Sequence, residues 1–316
     1  VSEAKKIEIL KDILGAYSKA GQEYLFKCPF PSCNHHKKKL SVNLDKDKYK
    51  CWICESAGST HRLVKRYGSF LQQQNWKELT GVIEVSQFEK IILEQSVPQE
   101  IEKEQILELP PEFISLCNRN FGLSNSIPLK YLQNRGVEKE DILRWKIGYC
   151  PSGEYEGRII VPSFNLDGDC NYFIARNYER KGFKYKNPPQ NKDLIFNELM
   201  VDWEEDIVIT EGVFDAIKIE NAIPILGSSL REGSKIFGQI IKHDPAVYMA
   251  LDPDAESKEF KMIESLLKYG IEVYKIPVKP YKDVGEMSKE EFLTRKKNAT
   301  IIKNTDYLLL DKIMSI

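Results

Sequence analysis

Apolar positions in this chain change spacing from segment to segment, and each spacing predicts an element. Over residues 3–20, Ile7, Ile9, Leu10, Ile13 and Leu14 interrupt a charged background and predict a short amphipathic helix. Leu40–Leu44 and Tyr49–Trp52 predict two short strands. From Phe70 to about Leu109 the chain turns polar, with Gln72–Asn75 and then Glu- and Lys-rich sequence up to Pro110-Pro111. That composition predicts a tether, with weak helical periodicity over Gln87–Gln95, and a finger free to move on it. Pro110–Phe113 leads into a helical stretch, one helix ends at Gly136, and Val137–Trp145 predicts another. Gly157–Pro162 and Asn171–Arg176 predict antiparallel strands around an Asp167-Gly168 turn. Three β-branched runs follow, Ile207–Thr210, Ala246–Leu251 and Ile271–Pro277. A helix is predicted to start at Val213, with Phe214, Ile217 and Ile219 on it. From Glu286 onward the tail reads as charged helix ending in Leu308–Leu310, Ile313 and Met314.

The predicted class is α/β. Residues 1–69 form a small amino-terminal domain with flanking helices, and 70–109 a linker. Residues 110–200 form a basic α+β part, 201–286 a parallel α/β sheet, and 287–316 a helical segment.

In open α/β sheets the carboxyl ends of the strands carry the site. Here all three runs end in acids: Glu211, with Asp215 four residues on; Asp252 and Asp254; and Asp283 with Glu286. Acids gathered without matched bases bind hard divalent cations, and Mg²⁺ favours one or two carboxylates plus phosphate oxygens. The set outlines metal-assisted phosphoryl transfer. Glu211, Asp252 and Asp254 are expected to hold Mg²⁺ or Mn²⁺, while Asp215 and Asp283 complete an acidic wall with room for a second ion. A metal can itself activate an attacking hydroxyl, so Glu211 is read as a ligand in preference to a general base. Thr210 and Lys282 are expected to shape strand ends.

The 316 residues carry a net charge of -1, so any nucleic-acid binding must come from local patches. No apolar run is long enough to span a membrane, and the first residues lack a signal-peptide core. Both observations favour a reducing, cytoplasmic setting, in which the seven cysteines are free thiols or metal ligands. Cys28 and Cys33 enclose four residues, and Cys51 and Cys54 enclose two. Two such pairs on neighbouring hairpin tips converge on one tetrahedral, structural Zn²⁺. Cys33 is preferred as second ligand over His35 or His36, which open a Lys-rich run, and His61 is placed on a helix surface. Cys117, Cys150 and Cys170 show no pairing pattern.

Lys37, Lys38, Lys39, Lys46, Lys48 and Lys50 make the finger basic, and Tyr49 and Trp52 add flat faces suited to single-stranded DNA. For Trp52, base stacking and packing against the metal knuckle stay open. A second basic run holds Arg176, Arg180, Lys181, Lys184, Lys186 and Lys192 against one acid, Glu179, and reads as a phosphate footprint.

Glu211-Gly-x-x-Asp215-Ala followed by Asp252-x-Asp254 resembles the Toprim fold of primases, topoisomerases and some nucleases. Cys28-Pro-Phe30, Leu40-Ser-Val42, Tyr49-Lys-Cys51-Trp-Ile-Cys54, Gly58 and the helix at Leu63 resemble the zinc ribbon of bacterial-type primases. Family members commonly have His as second ligand after a shorter turn; Cys33 in a longer turn is nearer four-cysteine phage forms. Lys184-Tyr-Lys186-Asn187-Pro resembles an element of the primase catalytic core, Arg158 matches its Arg-x-x-x-Pro strand, and Arg176 the arginine after it.

With these parts in this order, the resemblance covers nearly the whole chain and is nearest to phage primases without a fused helicase. It implies a DNA-templated RNA polymerase making short primers, in which a 3′-hydroxyl attacks an α-phosphorus and pyrophosphate leaves. Arg158, Arg176, Lys184, Lys186, Asn187 and Lys192 would then line the groove for template and nucleotides. No Gly-x-x-x-x-Gly-Lys-Ser/Thr loop occurs, so a replicative helicase would be a separate chain, with single-strand-binding protein as a further partner. The rivals are a Toprim nuclease, which needs neither finger nor basic element, and a zinc-finger/Toprim recombination mediator, which lacks the basic part. A type IA topoisomerase needs a large gate domain for which the chain is too short.

Overall fold

The computed structural model describes residues 2–31, 33, 35–82, 106–117, 126–179, 182–227 and 230–302. The chain divides into two compact units. The first holds the amino-terminal elements together with Leu266–Glu272, and the second the remaining described residues.

The first unit begins with helix α1 (Ser2–Leu14). It stops short of the predicted residue 20: Gly15 adopts φ 83° and its N–H bonds to Lys11 O, a left-handed helix stop. Ser18–Ala20 is then strand β1, the edge of an antiparallel sheet with β2 (Glu23–Lys27), β3 (Lys38–Asn43), β4 (Lys48–Cys51) and β5 (Ala57–Gly58) in sequential order. Helix α2 (Thr60–Tyr67) starts at Ser59, whose hydroxyl caps the Arg62 N–H.

Helix α3 (Phe70–Thr80) lies in the segment expected to be tether. Its ends are explicit: Ser69 and Gln72 form a reciprocal capping box, and Gly81 closes it at φ 72°. Averaged polarity concealed one residue, Trp76, which is 1% exposed and belongs to the apolar cluster around Leu10, Phe26, Leu63 and Val64. The Gln87–Gln95 periodicity and the apolar end of the tail lie outside the described residues.

In the second unit, Ile114–Ser115 is strand β6 and not the start of a helix. It joins β7 (Gly148–Cys150), β8 (Arg158–Phe164) and β9 (Cys170–Asn177) in a four-stranded antiparallel sheet. Helices α4 (Ser126–Gln133) and α5 (Lys139–Arg144) come between β6 and β7, as the apolar spacing predicts.

The other sheet runs β11 (Ala222–Pro224), β10 (Ile207–Thr210), β12 (Val247–Ala250), β13 (Val273–Lys275), β14 (Thr300–Ile301). The first three pairings are parallel and the last antiparallel. All four residues of β10 are buried, which is why it reads as an unbroken apolar run. Between β10 and β11 stands α6 (Val213–Ala216), shorter than predicted because the chain must re-enter the sheet at Ala222. Helix α7 (Lys235–His243) precedes β12, α8 (Glu256–Lys268) follows it, and α9 (Lys289–Lys297) precedes β14. The tail is thus helical only to Lys297, and β14 then covers the sheet edge.

Strand β10 is followed in sequence by β11 on one side of it and then by β12 on the other. Such a reversal opens a crevice at the carboxyl end of the central strand. Glu211 is the first residue past β10, and Asp252 lies just past β12.

Candidate functional site

Two groups of side chains converge tightly enough to hold an ion. In the first unit Cys28, Cys33, Cys51 and Cys54 bring their sulfurs within 4.8 Å of one another. A tight turn closed by Cys33 N–H to Phe30 O presents the first pair. The β4 knuckle presents the second, with Cys51 N–H bonded to Ser56 O and Trp52 N–H to Lys39 O. Cys28 and Cys54 are 3.7 Å apart, and Cys33 and Cys51 3.6 Å. Four thiolates at the usual Zn–S length of about 2.3 Å on tetrahedron corners would stand about 3.8 Å apart. The cluster fits one structural Zn²⁺ held by all four sulfurs. Burial raises the Cys28 and Cys33 thiols. Burial acts the same way on Cys54, but hydrogen bonding with Ser56 and with the neighbouring thiols brings it down to about 6. His35 and His36 are not in the cluster; His35 Nδ1 accepts the Lys37 N–H. His61 sits half-buried on α2, also outside it.

The two finger aromatics have opposite fates. Side chains alternate faces along a strand. Tyr49 shares the inward face of β4 with Cys51, is 5% exposed and stacks on Phe30 at 5.7 Å. It is a core residue, which corrects its reading as a nucleic-acid contact. Trp52, beyond the strand, is 63% exposed with Lys50 Nζ 5.0 Å from its ring centroid.

In the second unit Glu211, Asp252 and Asp254 place a carboxylate oxygen each within 4.8 Å of the others. Asp252 Oδ1 is buried and has no hydrogen-bond partner. An unsatisfied buried carboxylate oxygen is costly, and a cation would satisfy it. The three residues therefore fit a divalent ion. Burial, then the charges of Asp215, Glu211, Asp283 and Asp254, push Asp252 up to about 7.

Asp215 and Asp283 stand together beside this trio. Asp215 Oδ2 accepts the Gly212 N–H at 3.0 Å, and Asp283 Oδ1 accepts the Glu286 N–H at 2.9 Å. Gly285 abuts both: a Cβ there would fall 2.9 Å from Asp215 Oδ1 and 3.1 Å from Asp283 Oδ1. Burial, then the Asp283 charge, raises Asp215 to about 6. Lys218 Nζ donates at 2.6 Å to both Gly285 O and Met287 O, and burial holds its pKa below the ordinary value. Thr210 Oγ1 donates to Gly212 O at the end of β10, whereas Lys282 lies in the loop well past β13, where its backbone N–H donates to Glu286.

The raised acids set a pH dependence. Folded Asp252 and Asp215 keep protons that the unfolded chain releases near pH 3.8. Their contribution to stability is present at low pH and lost as pH rises through about 4 to 7. Asp252→Asn is expected to gain stability over the unaltered metal-free protein on going from pH 5 to pH 8. Thermal midpoints with a chelator present check this; an unchanged difference between the two pH values would refute the shift.

The basic residues of the site divide by burial. Arg158 is buried and donates to Phe183 O at 3.1 Å and Ala175 O at 3.5 Å, so it anchors a hairpin and does not reach outward as expected. Asn187 likewise accepts the Ala175 N–H. Lys184 and Lys192 are exposed, and Lys186 pairs with Glu154 at 3.2 Å. Arg176, also buried, reaches Tyr131 and Tyr185 and exerts its charge on Asp215. Arg180 and Lys181 lie outside the described residues. The sequence reading missed Arg135, whose charge also acts on Asp215; its i,i+4 spacing from Tyr131 was the available signal.

Residues 2–94 match the family model of the CHC2 zinc finger. The chain is similar to the DNA primase of Thermotoga maritima, 23% identical over 92% of this chain and 59% of that protein. It is also similar to the DNA primase of Haemophilus influenzae, 29% identical over 79% of this chain and 50% of the relative. The chain thus spans about half to three fifths of the length of these two relatives. Its fold resembles the zinc-binding and RNA polymerase domains of the Aquifex aeolicus primase. That match has a TM-score of 0.50 and 19% identity, covering 94% of this chain and 84% of that one. It also resembles a DnaG primase catalytic domain bound to ssDNA, with TM-score 0.52 and 17% identity, over 62% of this chain and 78% of that one. The fold is therefore a zinc ribbon followed by a primase-type catalytic core.

Proposed function

We propose that the chain is a DNA primase of bacterial type, which uses single-stranded DNA as template and joins ribonucleotides into short primers. The observation that carries this reading is the carboxylate trio at the β10–β12 crevice, with the orphaned Asp252 oxygen in it. Glu211, Asp252 and Asp254 would hold Mg²⁺ or Mn²⁺, which supplies charge neutralisation at phosphorus and acidifies the attacking hydroxyl. In-line attack otherwise needs alignment, which the chain's own groups supply. Lys184 and Lys192 stand exposed to take backbone phosphates, and Asn187 and Arg158 fix the hairpin that carries them. The replicative helicase and single-strand-binding protein belong to the same reading as separate chains.

Incubation with single-stranded DNA, Mg²⁺ and labelled ribonucleoside triphosphates tests the reading. Short RNA oligomers are the expected product. DNA cleavage would point to a Toprim nuclease, and binding without turnover to a recombination mediator.

Exposure of Trp52 gives it a role separable from catalysis. Base–aromatic stacking contributes about 1–3 kcal/mol per base. Trp52→Ala is expected to weaken binding to a short oligothymidylate by roughly tenfold at unchanged zinc content. Fluorescence anisotropy reads this, and equal affinities would mean the ring does not stack.

A further inference from the structure

Trp145, the residue that ends α5, and Asn197, in the turn before Glu198–Met200, line one pocket of about 50 Å³ in the second unit. Ile219 and Ala222, from the connection between α6 and β11, give it apolar walls, and the exposed Met200 adds to the lining. Trp145 is 5% exposed and Asn197 3%. Trp145 Nε1 and Asn197 Oδ1 are both buried and have no hydrogen-bond partner. The first can only donate and the second can only accept.

Both side chains are held where they stand. Asn197 sits at φ 59°, a left-handed backbone that asparagine tolerates. Its N–H donates to Ser163 Oγ at 2.8 Å, its carbonyl accepts the Met200 N–H at 2.9 Å, and its Nδ2 donates to Met200 Sδ at 3.4 Å. The Trp145 ring packs on Phe196 with centroids 6.1 Å apart. The other polar lining residues are engaged elsewhere. Arg144 Nη2 donates to Ile217 O at 2.5 Å and to Asp141 Oδ1 at 3.4 Å, and the Asn221 amide is bonded to the backbone of Asp202 and Asp206. A buried donor and a buried acceptor thus each carry an uncompensated loss of hydration. Size narrows what could relieve it. One water needs about 10–15 Å³, so the pocket offers roughly three to five such positions. It is far below the 300–1,000 Å³ or so of a drug-sized ligand site, which excludes a nucleotide.

We propose that this pocket binds a neutral carboxamide, whose oxygen accepts the Trp145 indole N–H and whose N–H donates to Asn197 Oδ1. A carboxamide carries an acceptor and a donor on separate atoms of one small plane. A carboxylate would set an anion against the Asn197 oxygen, and an ammonium would set a cation against the indole N–H. Neither would find a counter-charge, because Arg144 is already paired with Asp141. The walls place the occupant against the chain that leaves α6, and Arg144 holds that chain at Ile217, two residues beyond Asp215. The site is independent of the primase reading.

Acetamide titrated into the full chain tests this, with the Trp145 indole and Met200 methyl groups followed by nuclear magnetic resonance. Both signals are expected to shift saturably, with half-saturation at roughly millimolar concentration, as suits a ligand of so few atoms. N,N-dimethylacetamide keeps the acceptor and lacks the donor, and should bind about tenfold more weakly. Trp145→Phe keeps a ring and removes the indole donor, so the Met200 methyl should report about five- to tenfold lower affinity for acetamide. Should that variant fail to fold, Asn197→Gly carries the test, since glycine accepts the left-handed backbone and removes the acceptor. Shifts that stay linear in the unaltered protein, meaning that water alone fills the pocket, overturn the proposal. Equal acetamide affinity in the variant, or equal binding of the dimethyl derivative, overturns it as well.

Discussion

Primer synthesis is expected to fall at least about a thousandfold when Asp252 and Asp254 are both replaced by Asn, with single-stranded DNA binding little changed. That loss corresponds to about 4 kcal/mol of transition-state stabilisation. Parallel strands β10 and β12 are in register, Ile207 against Val247 through Thr210 against Ala250, so both chains leave the sheet at one level. Glu211 and the Asp252–Asp254 turn emerge side by side, with oxygens inside 4.8 Å. Burial and four neighbouring acids raise Asp252 to about 7, and a bound cation would relieve the cost of its charge at higher pH. Asparagine keeps the size and loses the charge, so the fold should survive. Labelled-nucleotide incorporation on a defined template, beside Mn²⁺ titration, reads both effects. Near-normal synthesis by the double variant would remove the metal assignment.

Stripping zinc, or replacing Cys51 by Ser, is expected to unfold the ribbon. Structural zinc contributes an apparent 10–16 kcal/mol or so in small fingers, more than a sheet of this size can supply from its own core. Cys51 is wholly buried and Cys28 nearly so, and without an ion the four sulfurs would crowd within 4.8 Å of one another, two pairs of them at 3.6 and 3.7 Å. Limited proteolysis should then cut within residues 20–60, while the second unit stays resistant. Template-dependent initiation should drop with it. Equal protease resistance with and without chelator would mean that the ribbon stands without metal.

Both clusters were legible in the sequence because each is written in residue types with few other uses. Two cysteine pairs at short spacing, or acids at successive strand ends, declare themselves before any packing is known. The cationic side was not legible in the same way. Arg158 and Arg176 are the same residue type in adjacent strands, yet what each does depends on which carbonyl or phenol the hairpin brings to it. Arg135 read only as the end of a helix, because beside Tyr131 on that helix its other partner, the Phe214 ring, comes from α6. Tyr49 was misread although the signal existed: period two along β4 ties it to the face of Cys51. In the polar stretch after Phe70, the capping box at Ser69 and Gln72 announced a helix that averaged composition hid.

The Lys218 ammonium, held by the carbonyls of Gly285 and Met287, has a consequence for how an ion is received. It ties the loop bearing Asp283 to the turn after α6, so mutual repulsion of the acids meets a fixed strut instead of a flexible arm. Glu211, Asp252 and Asp254 would then offer a cation oxygens already in place, and little would be spent on ordering the loop. Loading and unloading of an ion would then be a matter of hydration-shell exchange at a rigid rim.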